Sequence, residues 1–128
     1  MEYYIFLDHF SVSLLDYINV NVPGVINLVD DIVIYIETSG SMSEYSDANI
    51  KFCEDVLGSL PISSTESRAA LISFGDEVST IHWDLNDPRA TNYADIIDGV
   101  RSISYTGGAW DVWLGFQTAY DILSSQGR

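Results

Sequence analysis

Val29-Asp30-Asp31-Ile32-Val33-Ile34-Tyr35-Ile36 is an almost unbroken β-branched run, and it stops at the polar stretch Glu37-Thr38-Ser39-Gly40-Ser41. A run without polar alternation has no face to offer water. It predicts a central parallel strand covered on both sides, with a loop at its C-terminal end. Downstream, Phe52, Cys53, Val56, Leu57 and Leu60 recur at helical spacing until Pro61, which ends that helix. Residues 68–74 (Arg68, then Ala69, Ala70, Leu71, Ile72 and on to Phe74) read as a second buried strand. Gly75-Asp76 turns the chain into residues 77–83, a more polar stretch suited to a sheet edge.

After the loop Asn86-Asp87-Pro88, Tyr93, Ile96, Ile97, Val100 and Ile103 form a second helical stripe. Tyr105-Thr106-Gly107-Gly108 then leads into a third helix, with Val112, Trp113, Phe116, Ala119, Tyr120 and Leu123 as its apolar residues. The order β-α-β-β-α-α is that of an α/β protein with an open, doubly wound, Rossmann-like sheet. Upstream, the texture differs. Ile18, Val20 and Val22 alternate with Asn19 and Asn21 before Pro23-Gly24, so residues 1–28 read as an N-terminal extension to a unit at 29–128.

The 128 residues carry 5 Lys+Arg against 19 Asp+Glu, a formal charge of −14. That balance argues against a nucleic-acid partner and against docking on anionic lipid, both of which need clustered cations. With 47% hydrophobic residues there is material for a core. No stretch approaches the ~20 apolar residues of a membrane span, so membrane insertion is not expected. Cys53 is the single cysteine, which excludes an intrachain disulfide, and its apolar helical neighbours predict burial. His9 and His82 lack metal-ligand spacing. Trp110 and Trp113, three apart, predict a shared helix face, packed in the core or, if exposed, a binding anchor. The first residues lack a basic signal-peptide start, and no Asn-x-Ser/Thr sequon occurs.

In an open α/β sheet, ligands gather where strands end. Glu37-x-Ser39-x-Ser41, directly after the central strand, offers one carboxylate and two hydroxyls to a common centre, a set suited to Mg²⁺ with waters completing the shell. The competing reading has Ser39 and Ser41 capping the next helix while Glu37 faces solvent.

Three segments in one order, Asp31 through Met42, Arg68 through Asp76 and Ile103 through Gly108, resemble the von Willebrand factor type A domain. They look like its first strand with the Asp-x-Ser-x-Ser metal loop, its second strand and hairpin, and the approach to its second metal loop. The likeness runs from residue 29 to about residue 124. It implies a metal-ion-dependent adhesion site in which Ser39 and Ser41 match the two serines and Glu37 stands where the family has Asp. Trp110 occupies the place of the family's Thr ligand, with Asp111 one residue on, and the strand bearing the family's last Asp would follow Arg128. The resemblance therefore implies a C-terminally truncated sheet and a degenerate site that holds Mg²⁺ weakly or not at all.

The function it implies is a non-enzymatic adhesion module that binds a protein ligand through loops 37–44 and 104–111, in an extracellular or secreted setting. The alternatives are a Mg²⁺-dependent hydrolase-type enzyme and a non-functional fragment. An incomplete sheet would leave the outer edge of the first strand open, and residues 18–22 are expected to fold back and cover it.

Overall fold

A computed structural model describes residues 2–7, 31–75, 78–108 and 112–127. Among the described residues four strands form one sheet in the order β1 (Glu2–Leu7), β2 (Asp31–Glu37), β3 (Arg68–Gly75) and β4 (Val78–Trp83). β1, β2 and β3 run parallel, and β4 returns antiparallel to β3. Helices α1 (Ser46–Leu57), α2 (Tyr93–Arg101) and α3 (Val112–Gln126) flank the sheet, and short 3₁₀ turns at Gly40–Tyr45 and Pro88–Thr91 lead into α1 and α2. The α/β class and the predicted order from β2 onward are those observed.

The edge beyond β2 is filled from the stretch read as an extension. Glu2 pairs with Asp31 and the register runs on to Leu7 opposite Ile36. Residues 18–22, expected at that edge, lie outside the described residues.

All seven residues of β2 are buried, because helices cover both faces. Its side chains alternate between two cores. Ile32, Ile34 and Ile36 join Ala69 and Leu71 beneath α1 and α2, with Phe52, Cys53, Leu57, Ile96 and Val100. Val33 and Tyr35 join Ala70, Ile72 and Phe74 beneath α3, with Ala119, Ile122 and Leu123. The stripes predicted for α1 and α2 thus face the sheet, although α1 ends at Leu57, ahead of Pro61, in tighter bonds from Ser59 N to Val56 O (3.3 Å) and Leu60 N to Leu57 O (3.1 Å).

α3 lies in a different rotation from the one predicted. Gly115, Ala119, Ile122 and Leu123 are buried, while Trp113 is 68% and Tyr120 52% exposed. The physical reason is proximity. A Cβ on Gly115 would stand 2.7 Å from Cδ1 of Phe74, so only glycine lets this helix lie so close to the β3 ring. Trp113 stacks instead on Phe116, with centroids 5.5 Å apart. Trp110, its expected partner on that face, lies outside the described residues.

Trp83 closes the other core. Its indole N–H donates to Ala69 O at 2.8 Å, the partner a buried indole requires. The ring lies against α2 at Gly99, where a Cβ would collide with the six-membered ring. Gly99→Ala is therefore expected to lower stability by about 1–3 kcal/mol through overpacking, read as a lower urea midpoint at unchanged slope. Cys53 is fully buried, and burial, with Glu54 beside it, pushes its thiol up to about 12. Its labelling by a disulfide reagent at pH 8 is expected to wait for unfolding and to accelerate sharply in denaturant.

Candidate functional site

The C-terminal end of β2 is where backbone leaves the sheet. Thr38 still belongs to it: its N–H donates to Phe74 O at 2.9 Å and its Oγ1 to the same carbonyl at 3.1 Å. The chain then crosses to the loop after α2. Gly107 N donates to Thr38 O (2.9 Å) and Gly40 N to Gly107 O (2.8 Å), a parallel bridge between Ser39 and Gly107. Loops 37–44 and 104–108, 60 or more residues apart in the chain, are thereby held as one surface. The two glycines here are required by space. A Cβ on Gly75 would lie 2.5 Å from Thr38 Oγ1, and one on Gly107 would lie 3.0 Å from Thr38 O.

On this frame the three predicted ligands come together. Glu37 is fully buried, and its Oε1 accepts from Ser39 Oγ at 2.7 Å. Ser39 Oγ lies 3.1 Å from Ser41 Oγ, and Ser41 is exposed. The capping alternative does not hold. Glu37 does not face solvent, and Ser39, at the head of the 3₁₀ turn, makes no side-chain capping bond.

The second carboxylate oxygen, Glu37 Oε2, is buried with no hydrogen-bond partner. A buried, unsatisfied carboxylate oxygen costs more than a lost hydrogen bond, so the arrangement favours a cation or an ordered water at that position. The spacing suits a small hard ion. Adjacent oxygens around octahedral Mg²⁺, with metal–oxygen distances near 2.0–2.1 Å, are about 2.9 Å apart, and the chain Oε1–Oγ–Oγ here steps by 2.7 and 3.1 Å. Among the described residues no group of three His, Cys, Asp or Glu side chains gathers, so Glu37 brings the one formal charge of this set. Trp110 and Asp111, which the resemblance puts at the expected second metal loop, lie outside the described residues.

Two positioning residues had no sequence signal. Asn49 on α1 is buried and donates from Nδ2 to Tyr105 Oη at 3.2 Å, tying the second loop to the helix that follows the first. Burial raises the Tyr105 hydroxyl above its ordinary value, and the bond from Asn49 pulls it the other way. Nothing in the spacing of Asn49 and Tyr105 announces a contact across 56 residues. His82 stands elsewhere, on β4, with Nε2 2.8 Å from Ser73 Oγ. His9 lies outside the described residues.

A family model described as the von Willebrand factor type A domain matches residues 31–128, more than half of the chain and every described element except β1. The chain belongs to the von Willebrand factor type A domain family. No curated protein matches it. Type A domains generally take part in protein–protein interaction and adhesion, are typically non-enzymatic, often bind a divalent metal, and occur both outside and inside cells. No helix among the described residues is long and apolar enough to cross a membrane.

Proposed function

We propose that this type A domain is a non-enzymatic adhesion module that binds a protein ligand through loops 37–44 and 104–108, assisted by Mg²⁺ held weakly by Glu37, Ser39 and Ser41. The reading extends to an extracellular setting and to a division into an extension at 1–28 and the adhesive unit at 29–128. The observation that carries it is the buried Glu37 carboxylate, whose Oε2 has no partner and whose Oε1 steps on to two hydroxyls at cation-like spacing. One carboxylate and two neutral oxygens leave the remaining sites of an octahedral ion to water, which accounts for weak affinity and leaves a position that a ligand carboxylate can take. A bound cation would also invert the local potential in a chain of −14, where an acidic ligand would otherwise be repelled.

Calorimetric titration with Mg²⁺ and Mn²⁺ tests this. Wild type is expected to give a saturable binding heat that Ser39→Ala abolishes, with no phosphatase activity in either protein. At ten times the dissociation constant, Mg²⁺ should add about 1.4 kcal/mol of stability to wild type and none to the variant. Heat unchanged in Ser39→Ala removes the proposed site. Metal-dependent phosphatase activity abolished by the same substitution would replace adhesion with the hydrolase reading.

A further inference from the structure

β4 ends the sheet: among the described residues its strand partner is β3 alone. Its six residues, Val78-Ser79-Thr80-Ile81-His82-Trp83, carry no formal charge in a chain of −14, and none is Lys or Pro, the residues that commonly guard an open edge. Val78 and Ile81 are 57% and 52% exposed. The register places Ile81 opposite Ile72 and Trp83 opposite Leu71, which makes His82 the extra residue of a β-bulge. Next to the bulge, between β4 and α2, lies a cavity of about 320 Å³ whose lining includes His82, Trp83, Arg89, Asp95, Asp98 and Ser102.

Asp95 and Asp98 are exposed one turn apart on α2. The cation beside them, Arg89, is already engaged. It bonds Asp87 at 2.8 Å and the His82 carbonyl at 3.3 Å, and its guanidinium stands 5.0 Å from the Trp83 ring centroid. That stacking also shows that the indole face beside the cavity accepts a guanidinium.

We propose that β4 is an augmentation edge for an extended, basic segment of a partner protein, which pairs its backbone with residues 78–81 and seats a lysine or arginine in the cavity against Asp95 and Asp98. Strand addition supplies main-chain hydrogen bonds that any sequence can make, and pockets beside the edge select alternate side chains. The alternation of a strand suits both faces here. One set of partner side chains points toward α2 and the two carboxylates, and the other lies over exposed Ile81 on the α3 side. Charge complementarity selects a basic segment over a second copy of this acidic chain. The surface is separate from the Glu37 loop, so either proposal can fail alone.

The test titrates the full chain with three octapeptides and follows its backbone amides by NMR. One peptide alternates valine and lysine, one alternates valine and glutamate, and one is the valine–lysine peptide N-methylated throughout. The valine–lysine peptide is expected to bind and to shift the amides of residues 78–81, with the other two at least about 10-fold weaker. Asp95→Asn/Asp98→Asn, at two exposed positions, should weaken the valine–lysine peptide about 10-fold without altering the fold. Four results would overturn the proposal: no binding, equal binding of the N-methylated or glutamate peptide, shifts that avoid residues 78–81, or an unchanged affinity in the double variant.

Discussion

Arg68→Ala is expected to lower the stability of this domain by about 3–5 kcal/mol, the largest loss anticipated from one side chain. Arg68 opens β3 and is buried, with Nε donating to Asp31 Oδ1 at 2.8 Å across the β2–β3 pair. Its Nη2 donates to Gln126 O at 2.8 Å, one of the carbonyls that the end of α3 leaves without a helical partner, and its Nη1 to Leu85 O at 3.3 Å. Gln126 returns the link by accepting from Leu85 N at 2.9 Å and donating to Asp84 at 3.1 Å. One guanidinium thus joins two strands, the segment after β4 and the last turn of α3. Removing it takes the guanidinium from the buried Asp31 carboxylate and a donor from the Leu85 and Gln126 carbonyls, and a desolvated charge that loses its ion-pair partner costs more than the pair contributed. Against a total of about 5–15 kcal/mol for an ordinary domain, such a loss could unfold the chain. The double variant Asp31→Asn/Arg68→Met, which removes both charges, should recover much of it, and urea midpoints for the three proteins measure the difference. An Arg68→Ala loss below about 1 kcal/mol would mean that the pair is solvated, as surface pairs are.

Phe74→Ala is expected to cost about 3–5 kcal/mol by opening a cavity under α3. The ring is 1% exposed, lies 6.0 Å from the Tyr35 ring, and fills the space that Gly115 leaves on the facing helix. The two positions form a large–small pair, so their substitutions should couple. Gly115→Ala alone overpacks and should cost about 1–3 kcal/mol. Combined with Phe74→Leu, which withdraws the ring from the same space, it should cost less than the sum of the two single changes. A double-mutant cycle in urea reads the coupling directly, and strict additivity would contradict this packing.

The parts of the fold that were legible are those where one residue type serves one environment. β2 announces itself because the buried positions 32–36 are filled by an uninterrupted apolar run between Asp31 and Glu37, and Gly75 announces the hairpin because no side chain fits beside Thr38. For α3, treating the aromatic residues as core predicts the wrong rotation. In the structure, glycine and alanine make the close contact with the sheet, and Trp113 and Tyr120 face outward. The loop Glu37-x-Ser39-x-Ser41 could be found from composition and position, but the burial that leaves Glu37 Oε2 without a partner and the Ser39–Gly107 bridge to the second loop are tertiary, and no local pattern encodes them. The Asp31–Arg68 pair spans 37 residues and was hidden for the same reason. Contacts across a sheet are set by register, and register emerges only once the strands are side by side.

The proposed cation in the loop of Glu37, Ser39 and Ser41 can be located directly on this strongly acidic chain. Substoichiometric Mn²⁺, added to the isotopically labelled chain, measures this through paramagnetic broadening of backbone amides. The predicted result is selective loss of the Ser39, Gly40, Ser41 and Gly107 amide signals, reversed by excess Mg²⁺ and absent in Ser39→Ala. Broadening centred on other acidic surfaces, such as Asp95 and Asp98, with the Ser39 loop spared, would contradict it.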